Sequence, residues 1–205
     1  LIVLDLCNRF CPDKIPVKTA ECLGDGADGE LFAILNEPNK VIKFSVIYDR
    51  FSKSPKRIYQ KDILPVLNYI VDNQPSICAI IYEHGYLGEY SRKMSSWKDG
   101  IQSFVLHYCI MERLLSLSED ENKVFHSIIS HEDREIKKDF SLEEINVILK
   151  GLMRGLDFDL EKIMLFCKQL RLSKINNNDL HPRNIMKNKD GQFKIIDFDR
   201  TILEE

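Results

Sequence analysis

Apolar positions along this 205-residue chain change rhythm at about residue 112, from short strand-like runs to longer helical stripes. Residues 1–16 read as a leader, a short apolar helix over 1–10 ended by Pro12 and Pro16. From Val17 the runs shorten and are bounded by turn formers, which predicts strands over 17–23, 30–35 and 40–47, with a turn over 36–39. Ile58, Ile63, Val66, Leu67 and Ile70 recur at helical spacing and predict a helix over about 55–71, started or kinked by Pro65. Strand character returns over 77–82 and 86–87, yields to a polar excursion over 88–100 that holds the only tryptophan, Trp97, and resumes over 104–111. Helices follow over 119–130, over 141–152 from a Ser141…Glu144 capping box, and over 160–172. The apolar stripe of the last, Ile163, Met164, Phe166, Cys167 and Leu170, is a core face. A turn-rich stretch at 188–191 then separates two short segments that pair as a β-hairpin.

Charge narrows the partners. Lys plus Arg number 29 and Asp plus Glu 32, a net of −3, so no basic excess points to nucleic acid. The apolar runs are too short to span a bilayer, and the first residues lack the basic flank and cleavage site of a signal peptide. Six cysteines at 7, 11, 22, 78, 109 and 167 show no paired zinc spacing and read as reduced thiols, which implies a cytoplasmic setting. Lys53, Lys56, Arg57 and Lys61 form a basic run read as a solvated face.

The chemistry concentrates in residues 176–200, N-N-N-D-L-H-P-R-N-I-M-K-N-K-D-G-Q-F-K-I-I-D-F-D-R. The hairpin brings Asn184, just before one strand, close to Asp197 at the end of the other. Two oxygen ligands at a strand end suit a hard cation such as Mg²⁺, which binds through few protein oxygens and completes its shell with phosphate. Asp179, ahead of this pair, is placed to accept a proton from an incoming hydroxyl. Metal, base and phosphate together mean phosphoryl transfer. Far upstream, Gly24, Gly26 and Gly29 fit G-x-G-x-x-G, but a strand rather than a helix follows them, which argues against a dinucleotide-binding turn. A plain hairpin turn is the other reading. Asp25, Asp28 and Glu30 make this loop acidic, so these carboxylates point away from any bound phosphate or weaken its binding.

The spacing of Asp179, Asn184 and Asp197 resembles the catalytic loop and metal-binding strand of the protein-kinase-like superfamily. D-L-H-P-R-N and I-D-F-D look most like its aminoglycoside phosphotransferase and choline kinase branch. The resemblance implies ATP and Mg²⁺ as cofactors, Asp179 as catalytic base, and Asn184 and Asp197 as metal ligands. Asp199 either binds a second cation or caps the chain. Gly24, Gly26 and Gly29 become a phosphate cover, and Lys43, 14 residues after Gly29 at the end of Val41-Ile42-Lys43, becomes the ligand of the α- and β-phosphates. Asp62 either fixes Lys43 or serves as a helix N-cap, and the backbone of Glu112, Arg113 and Leu114 forms the adenine-binding hinge. Asn177 stands where the family has a loop-supporting His.

The implied architecture is α+β and two-lobed: after the leader, an N-terminal antiparallel sheet with one helix over 17–111, a hinge over 112–116, and a small helical lobe with the catalytic hairpin over 117–205, with nucleotide between the lobes. No peptide platform follows Asp199, so the expected acceptor is a small-molecule hydroxyl placed by Asp179, His181 and Arg183. A catalytically weak or inactive kinase-like nucleotide-binding module acting through partner contacts, or a minimal protein kinase, are the alternatives. The sequence leaves the oligomeric state open.

Overall fold

A computed structural model gives the fold. It describes residues 2–26, 29–48, 55–93, 101–129, 141–177 and 179–204. The chain is α+β, with an N-terminal antiparallel sheet and a helical remainder. It divides into two compact units, Leu1–Val71 with Ile80–Arg113, and Asp72–Ala79 with Leu114–Glu205.

The first unit is built on five antiparallel strands: β1 (Thr19–Asp25), β2 (Gly29–Ile34), β3 (Glu37–Ile47), β4 (Ile81–Lys93) and β5 (Ile101–Glu112), in the order β1-β2-β3-β5-β4. Alternation along the strands gives the sheet two apolar faces. One carries Phe32, Ile34, Ile42, Phe44, Val46, Phe104, Leu106 and Ile110, packed with Val3, Cys7 and Cys11 of the leader. The leader helix, α1 (Ile2–Phe10), is therefore part of this unit's core. The buried Glu30 carboxylate accepts the Leu4 N–H at 2.9 Å, meeting one of the unsatisfied donors of the first helical turn. The opposite face meets the helical segment 55–73, where the Tyr59 ring lies 5.5 Å from that of His107.

That segment departs from the single helix expected. It runs as α2 (Pro55–Ile58), a π-turn (Tyr59–Ile63) and α3 (Leu64–Asn73). Pro65 has no N–H to donate, and its ring would press on a carbonyl one turn back. The wider π-turn just ahead of it accommodates both, so the helix continues through the proline. Asp62 sits inside the π-turn and is exposed; it caps no helix start.

Strand bounds also shift. Asn36 adopts φ 67°, which Asn tolerates, so the turn closes at Leu35–Asn36 and β3 begins at Glu37. The excursion expected from residue 88 is strand as far as Lys93, paired to the first half of β5; Trp97 lies outside the described residues. A strand expected from residue 77 begins instead at Ile81, because Ile77–Ala79 bond elsewhere, as given below.

The second unit contains α4 (Glu119–Ile128), α5 (Leu142–Leu152) and α6 (Leu160–Leu172). Each start is capped: Ser118 with Glu121 and Ser141 with Glu144 form reciprocal capping boxes, and Asp159 accepts the Lys162 N–H. The end expected for α4, Ser130, lies outside the described residues. Phe125, Phe166 and Phe193 meet edge to face, with ring centroids 5.0–6.2 Å apart, and join α4 and α6 to the hairpin. All six cysteines are free thiols, and among the described residues no helix is long and apolar enough to cross a membrane.

Candidate active site

In the second unit the chain enters through β6 (Ile175–Asn177), turns through Asp179–His181 and a short 3₁₀ turn (Pro182–Asn184), and forms the hairpin of β7 (Ile185–Lys187) and β8 (Phe193–Ile195). It leaves through β9 (Thr201–Leu203), which pairs antiparallel with β6, a pairing the sequence did not announce. The hairpin turn is local chemistry: Asn188 Oδ1 accepts the N–H groups of Asp190 and Gln192, and Gly191 takes φ 73°.

The hairpin is bonded on both sides. Ala79 N–H donates to Ile195 O at 2.9 Å and Ile195 N–H to Ile77 O at 2.7 Å, so residues 77–79 run beside β8 as a parallel neighbour. On the other side, Leu115 and Lys187 exchange both backbone bonds, at 2.7 and 2.8 Å. Lys194, buried on β8, donates from Nζ to Ser76 O at 2.5 Å.

This frame gathers the expected catalytic residues of the unit. Asn177, 3 % exposed, accepts the Asp179 N–H on Oδ1 at 2.9 Å and donates from Nδ2 to the Asp197 carbonyl at 2.6 Å. Asn184 donates from Nδ2 to the Asp179 carbonyl at 3.0 Å, and its own carbonyl accepts the Ile196 N–H at 3.1 Å. The backbone of Asp179 is thus held at both its N–H and its carbonyl, and that of Asp197 at its carbonyl. Leu180, Pro182 and Phe198 are buried beneath the loop, while Asp179, His181, Asp197 and Asp199 are half-buried and Arg183 is exposed. Asp199 N–H donates to Asp197 Oδ1 at 3.2 Å, an Asx-type turn that sets the carboxylate's direction.

Asn177 therefore supports the loop through its side-chain amide. A side-chain amide carries an acceptor and a donor at once, which is what two backbone groups facing one another require. The signal in the sequence is its position two residues before Asp179. Thr201 lies opposite Asn177 in the β6–β9 register, and its buried hydroxyl has no hydrogen-bond partner among the described residues. Sequence reasoning missed this residue.

The donor set fits a small hard cation. With Nδ2 of Asn184 engaged, its Oδ1 is the atom left to serve a cation, and Asp197 would add a carboxylate. Among the described residues no three His, Cys, Asp or Glu side chains form a metal cluster. One amide oxygen and one carboxylate make a sparse set, suited to a cation that keeps water and phosphate oxygens in its shell.

The candidate residues of the first unit lie on its sheet. The β1–β2 connection closes with Gly26 N–H on the Gly29 carbonyl at 2.8 Å; Asp28 lies outside the described residues. Gly29 has a steric reason: a Cβ there would stand 3.0 Å from both Lys43 Cε and the Phe44 carbonyl. The Lys43 stem thus runs across the glycine. Gly24 meets no such neighbour. Of the loop carboxylates, Asp25 is exposed, and Glu30 is turned to α1. In the expected hinge, Glu112 N–H donates to Ile80 O, the Glu112 carboxylate accepts the Ile80 N–H, and Arg113 N–H donates to Asn39 O, all at 2.8–2.9 Å. Those two N–H groups are engaged within the unit; among the described residues Leu114 enters none of these backbone bonds.

No family model matches the chain, and no curated protein matches it. Solved structures do: a complex of WbdD with the kinase inhibitor LY294002, at 16 % identity and a TM-score of 0.42, covering 91 % of this chain and 33 % of that one. A second WbdD structure matches at 15 % identity and a TM-score of 0.43, with 91 % and 34 % covered. The chain thus spans about a third of the length of the solved structures it matches, at a similarity too low to carry an assignment.

Proposed function

We propose that the chain is a kinase-like phosphotransferase that moves the γ-phosphate of ATP, with Mg²⁺, to a hydroxyl of a small molecule. The observation that supports this reading best is the set of hydrogen bonds linking Asn177, Asp179, Asn184 and Asp197. A polar loop with no chemistry has no need of a buried amide that ties Asp179 to Asp197, eighteen residues on. Asn184 Oδ1 and the Asp197 carboxylate would hold the cation, which when bound would offset charge on the phosphate oxygens. Asp179, its backbone fixed on both sides, presents a carboxylate that takes the acceptor's proton. His181 and Arg183, on the same loop, orient the acceptor. Within the first unit, Lys43 and the backbone of the glycine turn are the candidate phosphate binders.

A second reading, nucleotide binding without turnover, is favoured by one observation: Asp62, the residue expected to fix Lys43, is exposed in the π-turn. The two readings separate in an assay of ATP turnover with Mg²⁺ against alcohols, amino sugars and generic protein substrates. Transfer to a small alcohol or amino sugar is the expected result. Transfer to protein alone would overturn the acceptor class, and no turnover with any acceptor would favour the second reading.

A further inference from the structure

We infer that Lys187 and Glu121 form a clamp that positions Asn184; the inference rests on the reading of Asn184 as a metal ligand. Lys187 ends β7, three residues past Asn184, in a short strand whose first residue, Ile185, is buried. A lysine at such a strand end ordinarily turns to solvent. Here its Nζ lies 2.9 and 2.7 Å from the two carboxylate oxygens of Glu121, with side-chain exposures of 22 % for Lys187 and 9 % for Glu121.

The carboxylate is itself held. Glu121 Oε2 accepts the Ser118 N–H at 2.7 Å, and the Glu121 N–H donates to Ser118 Oγ at 3.2 Å. One side chain thus closes the cap of α4 and anchors the hairpin, and it satisfies both only in one place. α4 is in turn fixed to the strand facing β7, because Phe125 packs at 5.0 Å on Phe193, the cross-strand partner of Lys187. Together with the two Leu115 bonds, Lys187 is held through its backbone, its side chain and its strand partner. Burial raises the Glu121 carboxyl, but the Lys187 ammonium and the Ser118 N–H outweigh it and hold the group below the usual carboxylate range. A solvated surface pair would gain little from such geometry. Three residues from a ligand that must be held to a fraction of an ångström, the geometry acts on the site: the clamp sets where β7 begins and therefore where Asn184 Oδ1 stands.

The test must separate positioning from plain stability, since Lys187→Met alone leaves a buried carboxylate without its counter-charge. The double variant Lys187→Met with Glu121→Gln removes that charge while keeping an oxygen for the Ser118 N–H. It should melt near wild type, yet need about ten- to a hundredfold more Mg²⁺ for half-maximal ATP binding. In the metal-free protein, amide exchange at Ile185–Lys187 should quicken. Lys187→Arg, which keeps the charge and offers a guanidinium fork to both Glu121 oxygens, should keep both readouts near wild type. Wild-type Mg²⁺ dependence and wild-type exchange in the double variant would overturn the clamp alone. No Mg²⁺-dependent ATP binding in the wild-type protein would overturn the clamp and the phosphotransferase reading together.

Discussion

Asp179→Asn should lower turnover by about 10²- to 10⁴-fold while leaving Mg-ATP affinity close to wild type. The substitution keeps size and polarity and removes only the carboxylate that accepts the proton. The hydrogen bonds that hold residue 179 use its backbone N–H and carbonyl, so they survive the change. Asp197→Asn should behave differently. It takes a negative charge from the cation, so Mg-ATP affinity and turnover should fall together. Both variants should fold, because both side chains are only half-buried. Affinity and turnover measured side by side check the division of roles. Equal losses of affinity in the two variants would mean that Asp179 is a ligand rather than a base.

Asn177→Ala should be the most damaging change to the frame. It removes the partner of the Asp179 N–H and of the Asp197 carbonyl at a position 3 % exposed. Each orphaned group costs roughly 1–3 kcal/mol, so about 2–6 kcal/mol of stability should go, with turnover falling as the two aspartates lose their spacing. Asn177→Asp tests the donor alone. It keeps an oxygen for Asp179 N–H but sets a carboxylate against the Asp197 carbonyl, and should be no better than the alanine. A denaturant melt with kcat on the same samples decides: wild-type values for both variants would show that the amide bridge supports nothing.

Local rules made much of this molecule legible. The capping boxes at Ser141 and the Asn188–Gly191 turn are read from spacing, since their partners lie within a few residues. The place of Asn184 and Asp197 at the two arms of one hairpin follows from that turn. Non-local partners were what the sequence concealed. Glu30 looked like a charge in a phosphate loop because its partner, the start of α1, lies 26 residues away. Ile77–Ala79 read as the start of a strand in the main sheet because their apolar character does not say which edge they join; β8 takes them. The Lys187–Glu121 pair was not visible in the sequence, because its two ends lie 66 residues apart. Pro65 misled for another reason: a wider turn ahead of it removes the conflict that would break an α-helix.

The account stands most directly on one comparison, ATP affinity of the wild-type protein measured by calorimetry with and without Mg²⁺. One amide oxygen and one carboxylate give the protein few ligands of its own, so cation and nucleotide should bind as a unit. The expected result is binding with Mg²⁺ at millimolar concentration and a loss of at least about tenfold in affinity when the metal is chelated. Equal affinity in the two conditions, or no binding in either, would contradict it.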